Sequence, residues 1–333
     1  VPDITNVQVQ INTQAPGYTP LEVEQRITVP IETAIIGLPK LEYRRSISRY
    51  GLSQVTVVFK DGTNIYFARQ LVNERLQQAR GRLPRDVEPA MGPIASGLGE
   101  VFLYTVEADP DARQPDDRPY DGMALRSLQD WVIRPQLLQV PGVAEVNAIG
   151  GYVKQFHVQP DPTKLLAYGL GFDDVAQAVE RNNANRGAGY LERNGEQLLV
   201  RLPGQVAGLD DLQRLVVATR SGLSITVGDV AEVALGKELR TGAATRDGHE
   251  TVLGTAVMLV GENSRTVARA VAEQLAKVND SLPPGVKAVT AYDRTVLVDK
   301  AIATVQKNLV EGALLVVAVL FLLLGNLRAA LLT

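Results

Sequence analysis

Residues 59–84 read FKDGTNIYFARQLVNERLQQARGRLP, and residues 258–283 read MLVGENSRTVARAVAEQLAKVNDSLP, so one segment occurs twice in this chain. At a constant offset of 199 residues the identical pairs are Gly62/Gly261, Asn64/Asn263, Val72/Val271, Glu74/Glu273, Leu76/Leu275, Leu83/Leu282 and Pro84/Pro283. Each copy follows a run of β-forming residues and carries apolar residues at helical spacing before a Leu-Pro stop. A repeat this distant indicates a duplicated strand–helix–strand unit, because a solenoid would repeat at a much shorter period.

The composition is that of a globular chain. It has 333 residues, of which 45% are hydrophobic and 21% charged, and this predicts two or three domains without disorder. The formal net charge of -3 argues against a nucleic-acid partner, which requires a basic face. Cysteine is absent, which excludes disulfides, Cys-based metal sites and thiol nucleophiles. Without an HExxH, P-loop or GxGxxG pattern, hydrolase and nucleotide-driven functions lose their support.

The C-terminal part differs in kind from the rest. Residues 312–324 read GALLVVAVLFLLL, and with Val305, Leu309 and Val310 the apolar run approaches the ~20 residues that cross a bilayer. Arg328 behind the run is typical of the cytoplasmic side. We therefore expect an amphipathic helix that leads into a transmembrane helix. The N-terminus begins VPDITN, with neither Met nor a signal segment, so we expect an excerpt of a longer chain.

The remaining pattern predicts four strand–helix–strand units. The second and fourth units hold the two repeat copies, and the fourth ends on a strand at 286–292. Pro30 falls inside the helix of the first unit and predicts a kink or a late start. The first and third units have their predicted elements at 6–12, 21–37 and 41–48, and at 100–107, 124–138 and 144–149.

A block at 152–240 has no counterpart elsewhere in the chain. It alternates predicted strands and helices, and Asn194-Gly195 between two β-forming runs is a hairpin signal. The stretch NNANRGAG just before it is rich in glycine and asparagine, which predicts a projecting loop. We interpret the block as an inserted domain.

Several long stretches resemble one protein family. They are ITNVQVQINTQAPGYTPLEVEQR, YGLSQVTVVFKDGTNIYFARQLVNERLQ, MGPIASGLGE, SLQDWVIRPQL, VPGVAEVNAIGG, NNANRGAGYLERNGEQ, GKELRTGAAT and YDRTVLVDKAIATVQKNLVEGALLV. Together they cover essentially the whole chain. They resemble the heavy-metal efflux subfamily of the resistance–nodulation–division (RND) pumps, most closely the cobalt–zinc–cadmium type. The resemblance implies the first periplasmic loop of such a pump, followed by the start of its second transmembrane helix.

The resemblance also implies an α+β fold. It consists of two ferredoxin-like βαβ-repeat porter subdomains with an inserted α+β docking subdomain, then an amphipathic helix that enters a transmembrane helix. The implied boundaries are 1–96 for porter subdomain 1, 97–151 with 241–292 for porter subdomain 2, 152–240 for the docking subdomain, 293–308 for the amphipathic linker helix and 309–333 for the start of the transmembrane region.

The implied function is secondary active transport rather than catalysis. A proton/cation antiporter with no cofactor would pass divalent zinc, cobalt or cadmium, rather than Cu(I) or Ag(I), through a cleft between porter subdomains. The implied partners are two further copies of the chain in a homotrimer, a periplasmic adaptor (membrane fusion) protein, an outer-membrane channel and inner-membrane lipid, but no nucleic acid. A docking-domain loop around 186–190 would reach into the neighbouring copy. Most of the chain would lie in the periplasm of a Gram-negative bacterium, anchored in the inner membrane.

Two other functions stay open. The first is an RND-type pump for organic amphiphiles, although such pumps need an aromatic-rich pocket and aromatic residues make up only 5% of this chain. The second is a membrane-tethered sensor or adaptor that transports nothing.

Two glutamates are the candidate metal ligands. Glu100 opens the first predicted strand of the second porter subdomain. Glu145 begins the strand AEVNAIG, where period-two alternation puts it on one face with Asn147 and Ile149. We expect adjacent strands to bring the two carboxylates together, and such oxygens suit Zn²⁺ or Co²⁺. In the copper/silver branch of the family the position of Glu100 is typically aromatic. The alternative is that both are solvated strand-end carboxylates that keep sheet edges soluble.

The other metal-binding residue types favour structural roles. Asp130 is interpreted as a helix-surface or hydrogen-bonding residue. His157 lies mid-strand and is expected to be half-buried, whereas His249 in a turn is expected to be exposed. Three methionines at unrelated positions are too few for a thioether relay that carries Cu(I), so we expect each to fill core space. They are Met91, Met123 and Met258.

Overall fold

The computed structural model describes residues 6–183, 186–193, 196–202, 204–220, 222–240 and 242–324, together with Arg328 and Leu332. The chain divides into two compact units. The first comprises 1–120, 128–149 and 244–333, and the second comprises 121–127 and 150–243. Both units combine helices and strands, as the predicted α+β class requires.

The first unit opens with a βαββαβ arrangement, which we call the first module. Its strands form an antiparallel sheet in the order β2-β3-β1-β4. The helices cover one face of this sheet around fully buried Ile11, Val55 and Phe59. The elements are β1 Gln8–Gln14, α1 Pro20–Val23, α2 Val29–Ile35, β2 Leu41–Arg49, β3 Leu52–Phe59, α3 Ile65–Ala79 and β4 Glu88–Met91.

The chain then begins a second arrangement and leaves it for the second unit. The first elements are β5 Glu100–Ala108, α4 Gly122–Leu128, α5 Arg134–Leu137 and β6 Val143–Ile149. The second unit follows with β7 Lys154–Pro160, α6 Pro162–Tyr168, α7 Phe172–Asn182, β8 Arg186–Arg193, β9 Glu196–Leu202, α8 Leu209–Arg214, β10 Val216–Arg220, β11 Leu223–Thr226, α9 Val227–Val230 and β12 Ala231–Lys237.

The second unit is built from paired strands and short helices. Its strand pairs are β7 with β12, β8 with β9 and β10 with β11. Small apolar clusters around Leu165 and Val230, and around Leu212 and Val227, pack its helices against the β7–β12 and β10–β11 pairs.

The predicted hairpin of this unit is confirmed, because Leu191 of β8 lies opposite Leu198 of β9 in an antiparallel ladder. The Asn194-Gly195 turn itself lies outside the described residues. The prediction that residues 186–190 form a loop is wrong. The backbone already runs as β8 there, with a register shift between Gly187 and Tyr190 of the kind that glycines permit in a strand.

The chain then returns to the first unit with its last elements, which are β13 Ala244–Arg246, β14 His249–Met258, α10 Ser264–Ser281, β15 Val286–Asp293 and α11 Arg294–Leu324. The second module consists of β5, β6, β14 and β15 with α5 and α10, whereas α4 belongs to the second unit. Its sheet has the order β6-β14-β5-β15. The first sheet has the same order, with β2, β3, β1 and β4 at the equivalent places. The short strand β13 pairs with the first residues of β14.

The sequence repeat is confirmed as a structural repeat. It is the segment that joins β3 to α3 and β14 to α10. Gly62 and Gly261 both adopt positive φ, at 76° and 91°, a conformation that glycine adopts without a steric penalty. Asn64 and Asn263 both cap the following helix by accepting two backbone N–H groups. The identical residues are therefore those that the turn and the cap require.

We expect the two caps to contribute equally. Asn64→Ala and Asn263→Ala should each cost about 1 kcal/mol of local helix stability, because two N–H groups lose their acceptor. Amide hydrogen exchange in the first turn of each helix should then accelerate about fivefold. Replacement by Asp, which also accepts these bonds, is the control. Acceleration in one helix and none in the other would contradict the structural equivalence of the two copies.

Both modules contain a widened helical turn that the sequence did not predict. The helix expected at 21–37 has a π turn at Glu24–Thr28 before Pro30, and the helix expected at 124–138 has one at Gln129–Ile133 before Pro135. Proline lacks an N–H and crowds the carbonyl four residues back. The π turn relieves this conflict, so the helix continues through Pro30 in place of the predicted late start.

The last described element is a single long helix. It runs without interruption from Arg294 to Leu324. Within the described part of the chain, its stretch Arg294–Leu323 is the one helix long and apolar enough to cross a membrane. Its most apolar 18 residues have a mean hydropathy of 1.8, and none of them is buried.

Candidate functional site

The two candidate carboxylates lie on strands that are not neighbours. Glu100 begins β5 and Glu145 lies in β6, but β14 runs between these strands and pairs with both. The expectation that adjacent strands bring the two residues together is therefore wrong. The arrangement depends on the pairing of β14 with β5 and β6, which are distant in sequence. Local sequence patterns do not predict such pairing.

Glu100 and Glu145 nevertheless lie at the same level of the sheet. Val257 of β14 is the register partner of Glu100 on one side and of Glu145 on the other. Two strand spacings separate their backbones, which is about 10 Å. Glu145 projects to the same face as Val257, because residues opposite each other in a regular antiparallel pair do so. On the other side a register shift leaves Val101 and Glu100 both opposite Val257. Such a β-bulge interrupts the alternation of β5 and turns Glu100 to the face of Val257.

That face is the one turned away from the helices, and we call it the outer face. Along β6, Val146 is buried whereas Asn147 and Ile149 are exposed, so the predicted alternation is confirmed. Asn147 pairs with Thr255, and Thr255 with Leu103. The outer face is therefore polar beside the glutamates, and an amide and a hydroxyl stand one row away.

The equivalent row of the first module is uncharged. There Val58, which corresponds to Val257 at the offset of 199, pairs with Gln8 on β1 and with Tyr43 on β2. The same strand order thus accommodates a neutral amide and an aromatic ring at the positions of Glu100 and Glu145. The acidic pair is not a requirement of the fold.

A charge network that the sequence did not reveal lies further along the outer face. The Arg246 guanidinium donates to Glu107 Oε1 at 2.8 Å and to Thr105 Oγ1 at 2.7 Å. Alternation along β5 was the available signal, since it places Leu103, Thr105 and Glu107 on one face. Glu107 is neutralised by Arg246, which leaves Glu100 and Glu145 as the acids of interest on this face.

The helix-covered side of the same sheet is anchored by a buried polar pair. The Tyr104 hydroxyl donates to Gln129 Oε1 at 2.9 Å, and both residues are fully buried. Burial raises the pKa of Tyr104 well above its usual value, against the opposing effect of this hydrogen bond, so the phenol stays neutral. Gln129 belongs to the π turn. The regular helical pattern of the sequence therefore did not predict that its side chain is buried against Tyr104.

The two glutamates do not form a complete metal site by themselves. Within the described ranges, no group of three or more His, Asp or Glu side chains is arranged to hold an ion. A tetrahedral zinc site takes four ligands. Two carboxylates can therefore contribute part of a coordination shell, with water or other groups supplying the rest.

The predicted exposure of the two histidines is confirmed. His157 is half-buried in β7 beside Gly236, His249 is exposed at the start of β14, and Asp130 is half-buried in the π turn. The methionines lie apart and each is only half-buried. Met91 packs against the core of the first module, so the expected core-filling role is confirmed for Met91 but not for Met123 and Met258.

Comparison with known proteins gives consistent matches. The sequence matches the AcrB/AcrD/AcrF family over residues 1–333. The cobalt-zinc-cadmium resistance protein CzcA of Cupriavidus metallidurans is 62% identical over 100% of this chain and 31% of that protein. The cation efflux system protein CusA of Escherichia coli is 38% identical over 99% of this chain and 31% of that protein.

Solved structures agree with the sequence matches. A crystal structure of a heavy metal efflux pump superposes with a TM-score of 0.89 at 38% identity, over 99% of this chain and 32% of that chain. The chain thus spans about a third of the length of the curated relatives it matches, 31% for the two named above.

Proposed function

The chain belongs to the AcrB/AcrD/AcrF (RND) family of transporters, and we propose that it forms the periplasmic porter and docking portion of a proton-driven pump for divalent heavy-metal cations. Its relatives include a cobalt-zinc-cadmium resistance protein at 62% identity and a second cation efflux protein at 38%. Zinc, cobalt or cadmium is the proposed cargo, because the candidate ligands are carboxylate oxygens and Cu(I) prefers sulfur.

In this proposal the two modules are ferredoxin-like porter subdomains, at 1–96 and at 97–151 with 241–292. Residues 152–240 are the docking subdomain that meets an outer-membrane channel. The shared strand order of the two sheets supports the first assignment. The compact unit that contains 150–243 supports the second.

The assembly follows from the same proposal. The pump would be a homotrimer that works with a periplasmic adaptor and an outer-membrane channel. Residues 293–308 would form the linker helix, and 309–333 would enter the inner membrane. The length and hydropathy of α11 support this placement. The proton-relay residues would lie in the part of the pump beyond this chain.

The observation that carries the metal assignment is the row Glu100–Val257–Glu145. Its counterpart in the first module is neutral, so the two acids are available for a role beyond folding. A cation that enters the outer face would exchange some of its water for these carboxylates. Two carboxylates bind a divalent ion more weakly than a closed four-ligand site does, which a transporter needs because its cargo must leave.

Transport by the full-length protein tests the proposal. We expect purified protein in proteoliposomes to move Zn²⁺ when a pH gradient is imposed, and to stop when a protonophore collapses the gradient. Cobalt and cadmium should compete with zinc for transport. Zinc flux that is independent of the pH gradient would contradict the antiport proposal, and no flux of any of the three metals would contradict the cargo.

One observation favours an amphiphilic cargo as the second candidate. A groove of about 770 Å³ runs along the start of α11, and we call it the α11 groove. Its lining combines aliphatic side chains with charged Glu262 and Arg294, which would suit an organic amphiphile. Export of a hydrophobic cationic dye together with no response to zinc would favour this candidate. Other residues that line the groove are Leu98, Met258, Leu297 and Ile302.

A further inference from the structure

The membrane-directed helix α11 starts directly from the sheet that carries Glu100. Asp293 is the last residue of β15 and Arg294 is the first of α11. The Asp293 carboxylate accepts from the Thr295 N–H at 2.8 Å and from its hydroxyl at 2.7 Å. Strand and helix are therefore joined through a capped junction with no intervening loop.

The same junction is fastened to β5 on both sides of Glu100. Asp293 is the register partner of Phe102, two residues after Glu100. Arg294 Nη1 donates to the carbonyl of Leu98 at 2.5 Å, two residues before Glu100. Leu98 lies in the 3₁₀ turn Gly97–Gly99, which leads directly into β5. Glu100 thus lies between two attachments to the junction of β15 and α11.

The α11 groove lies beside this attachment. Leu98 and Met258 line it together with Leu297 and Ile302 on the next turns of the helix. Arg265 of α10 forms an ion pair with Asp299 at 2.7 Å further along. The start of α11 is therefore connected to the 97–99 turn by the hydrogen bond from Arg294. Beside this bond the helix borders an open groove.

We infer that Arg294 is a positioning residue that couples displacement of α11 to the position of Glu100. A shift or rotation of the helix moves the Arg294 guanidinium, and the Leu98 carbonyl follows because a charged donor holds it. The 3₁₀ turn then changes the distance of Glu100 from Val257 and Glu145. These two residues lie on β14 and β6, whereas α11 directly follows β15. This inference rests on the proposed function of Glu100 as a metal ligand.

Three variants of the full-length pump test the coupling. Arg294→Met keeps a long apolar stem and removes the donor, whereas Arg294→Lys keeps a charged donor. Arg113→Met is the matched control, since Arg113 also donates to backbone carbonyls, those of Pro110 and Ala112, in an exposed loop. Each variant is assayed for equilibrium Zn²⁺ binding without a gradient and for Zn²⁺ transport driven by a pH gradient.

We expect Arg294→Met to bind zinc within about twofold of the wild type and to transport it at least about tenfold more slowly, since a hydrogen bond from a charged donor is lost. Arg294→Lys should recover most of the rate, and Arg113→Met should match the wild type. If Arg294→Met does not assemble, Arg294→Gln, which retains an N–H donor, should assemble and transport faster than Arg294→Ala.

The outcomes separate this inference from the proposed function. A wild type that neither binds nor transports zinc overturns the proposed function. A wild type that transports zinc, with Arg294→Met equally fast, overturns the coupling alone. A parallel loss of binding, transport and thermal stability in Arg294→Met, without rescue by lysine, also overturns it, because it indicates a purely structural role.

Discussion

Glu100→Gln in the full-length pump should lower gradient-driven Zn²⁺ transport by at least about tenfold, since even the loss of a group that supports a metal ligand typically weakens binding by 10- to 100-fold. Glutamine keeps the shape of the side chain but removes the negative charge that compensates the cation. The effect should appear as a higher zinc concentration at half-maximal transport. Zinc uptake by proteoliposomes measures it directly.

A matched control and a second variant sharpen this prediction. Glu42→Gln removes an exposed glutamate from an edge strand of the first sheet and should leave transport unchanged. Glu145→Gln should act in the same direction as Glu100→Gln. The double variant should lose less than the sum of the two effects, because both groups act on one ion. Independent, additive losses would contradict a shared site across Val257.

Gly254→Val should prevent the second module from folding stably. Gly254 is the register partner of Tyr104, and a Cβ atom at position 254 would lie 2.2 Å from the Tyr104 ring carbon Cζ. Tyr104 is fully buried and holds Gln129, so its ring has no free space to enter. Overpacking of this kind costs about 3 kcal/mol or more. The thermal unfolding midpoint of the purified protein should fall sharply.

The controls for Gly254 are available in the same chain. Gly81→Ala is expected to be tolerated, because no atom lies within 4 Å of the added methyl group. The double variant Gly254→Ala/Tyr104→Ala should lose less stability than the sum of the two single losses, because the ring that blocks the added Cβ atom is already removed by Tyr104→Ala. An unfolding midpoint of Gly254→Val equal to that of the wild type would contradict the observed packing of Tyr104.

Local sequence patterns predicted the elements of this fold well. The repeat identified Gly62, Asn64 and their counterparts, because a positive-φ turn and a helix cap depend on residues within a few positions of each other. The edges of the strands in the second module followed from periodicity in the same way. The family resemblance is confirmed, since the family match covers the whole chain.

The long-range arrangement could not be predicted from the same patterns. Val257 lies more than 100 residues from both Glu100 and Glu145, and its position between them depends on strand order rather than on any local signal. The partnership of Tyr104 with Gln129 depends on a π turn, which shifts the helix by one residue relative to the regular period. Similarly, Arg246 reaches Glu107 only because β13 pairs with β14.

The prediction of the site depended on local alternation and on long-range strand pairing. Alternation placed Glu145 on the face of Asn147 and Ile149, as β6 has them. The metal-ligand role of Glu100 and Glu145 stays a prediction. Its strongest structural support is the contrast with Gln8 and Tyr43, which only the two aligned sheets reveal.

Anomalous diffraction at the zinc edge, from crystals of the full-length pump with bound Zn²⁺, tests the metal site most directly. We expect an anomalous peak on the outer face beside Val257, with a carboxylate oxygen of Glu100 or Glu145 at about 2.0–2.2 Å from the ion. The peak should disappear when both residues are replaced with glutamine. Zinc bound elsewhere in the porter region, with neither carboxylate in coordination distance, would contradict the assignment of these glutamates as metal ligands.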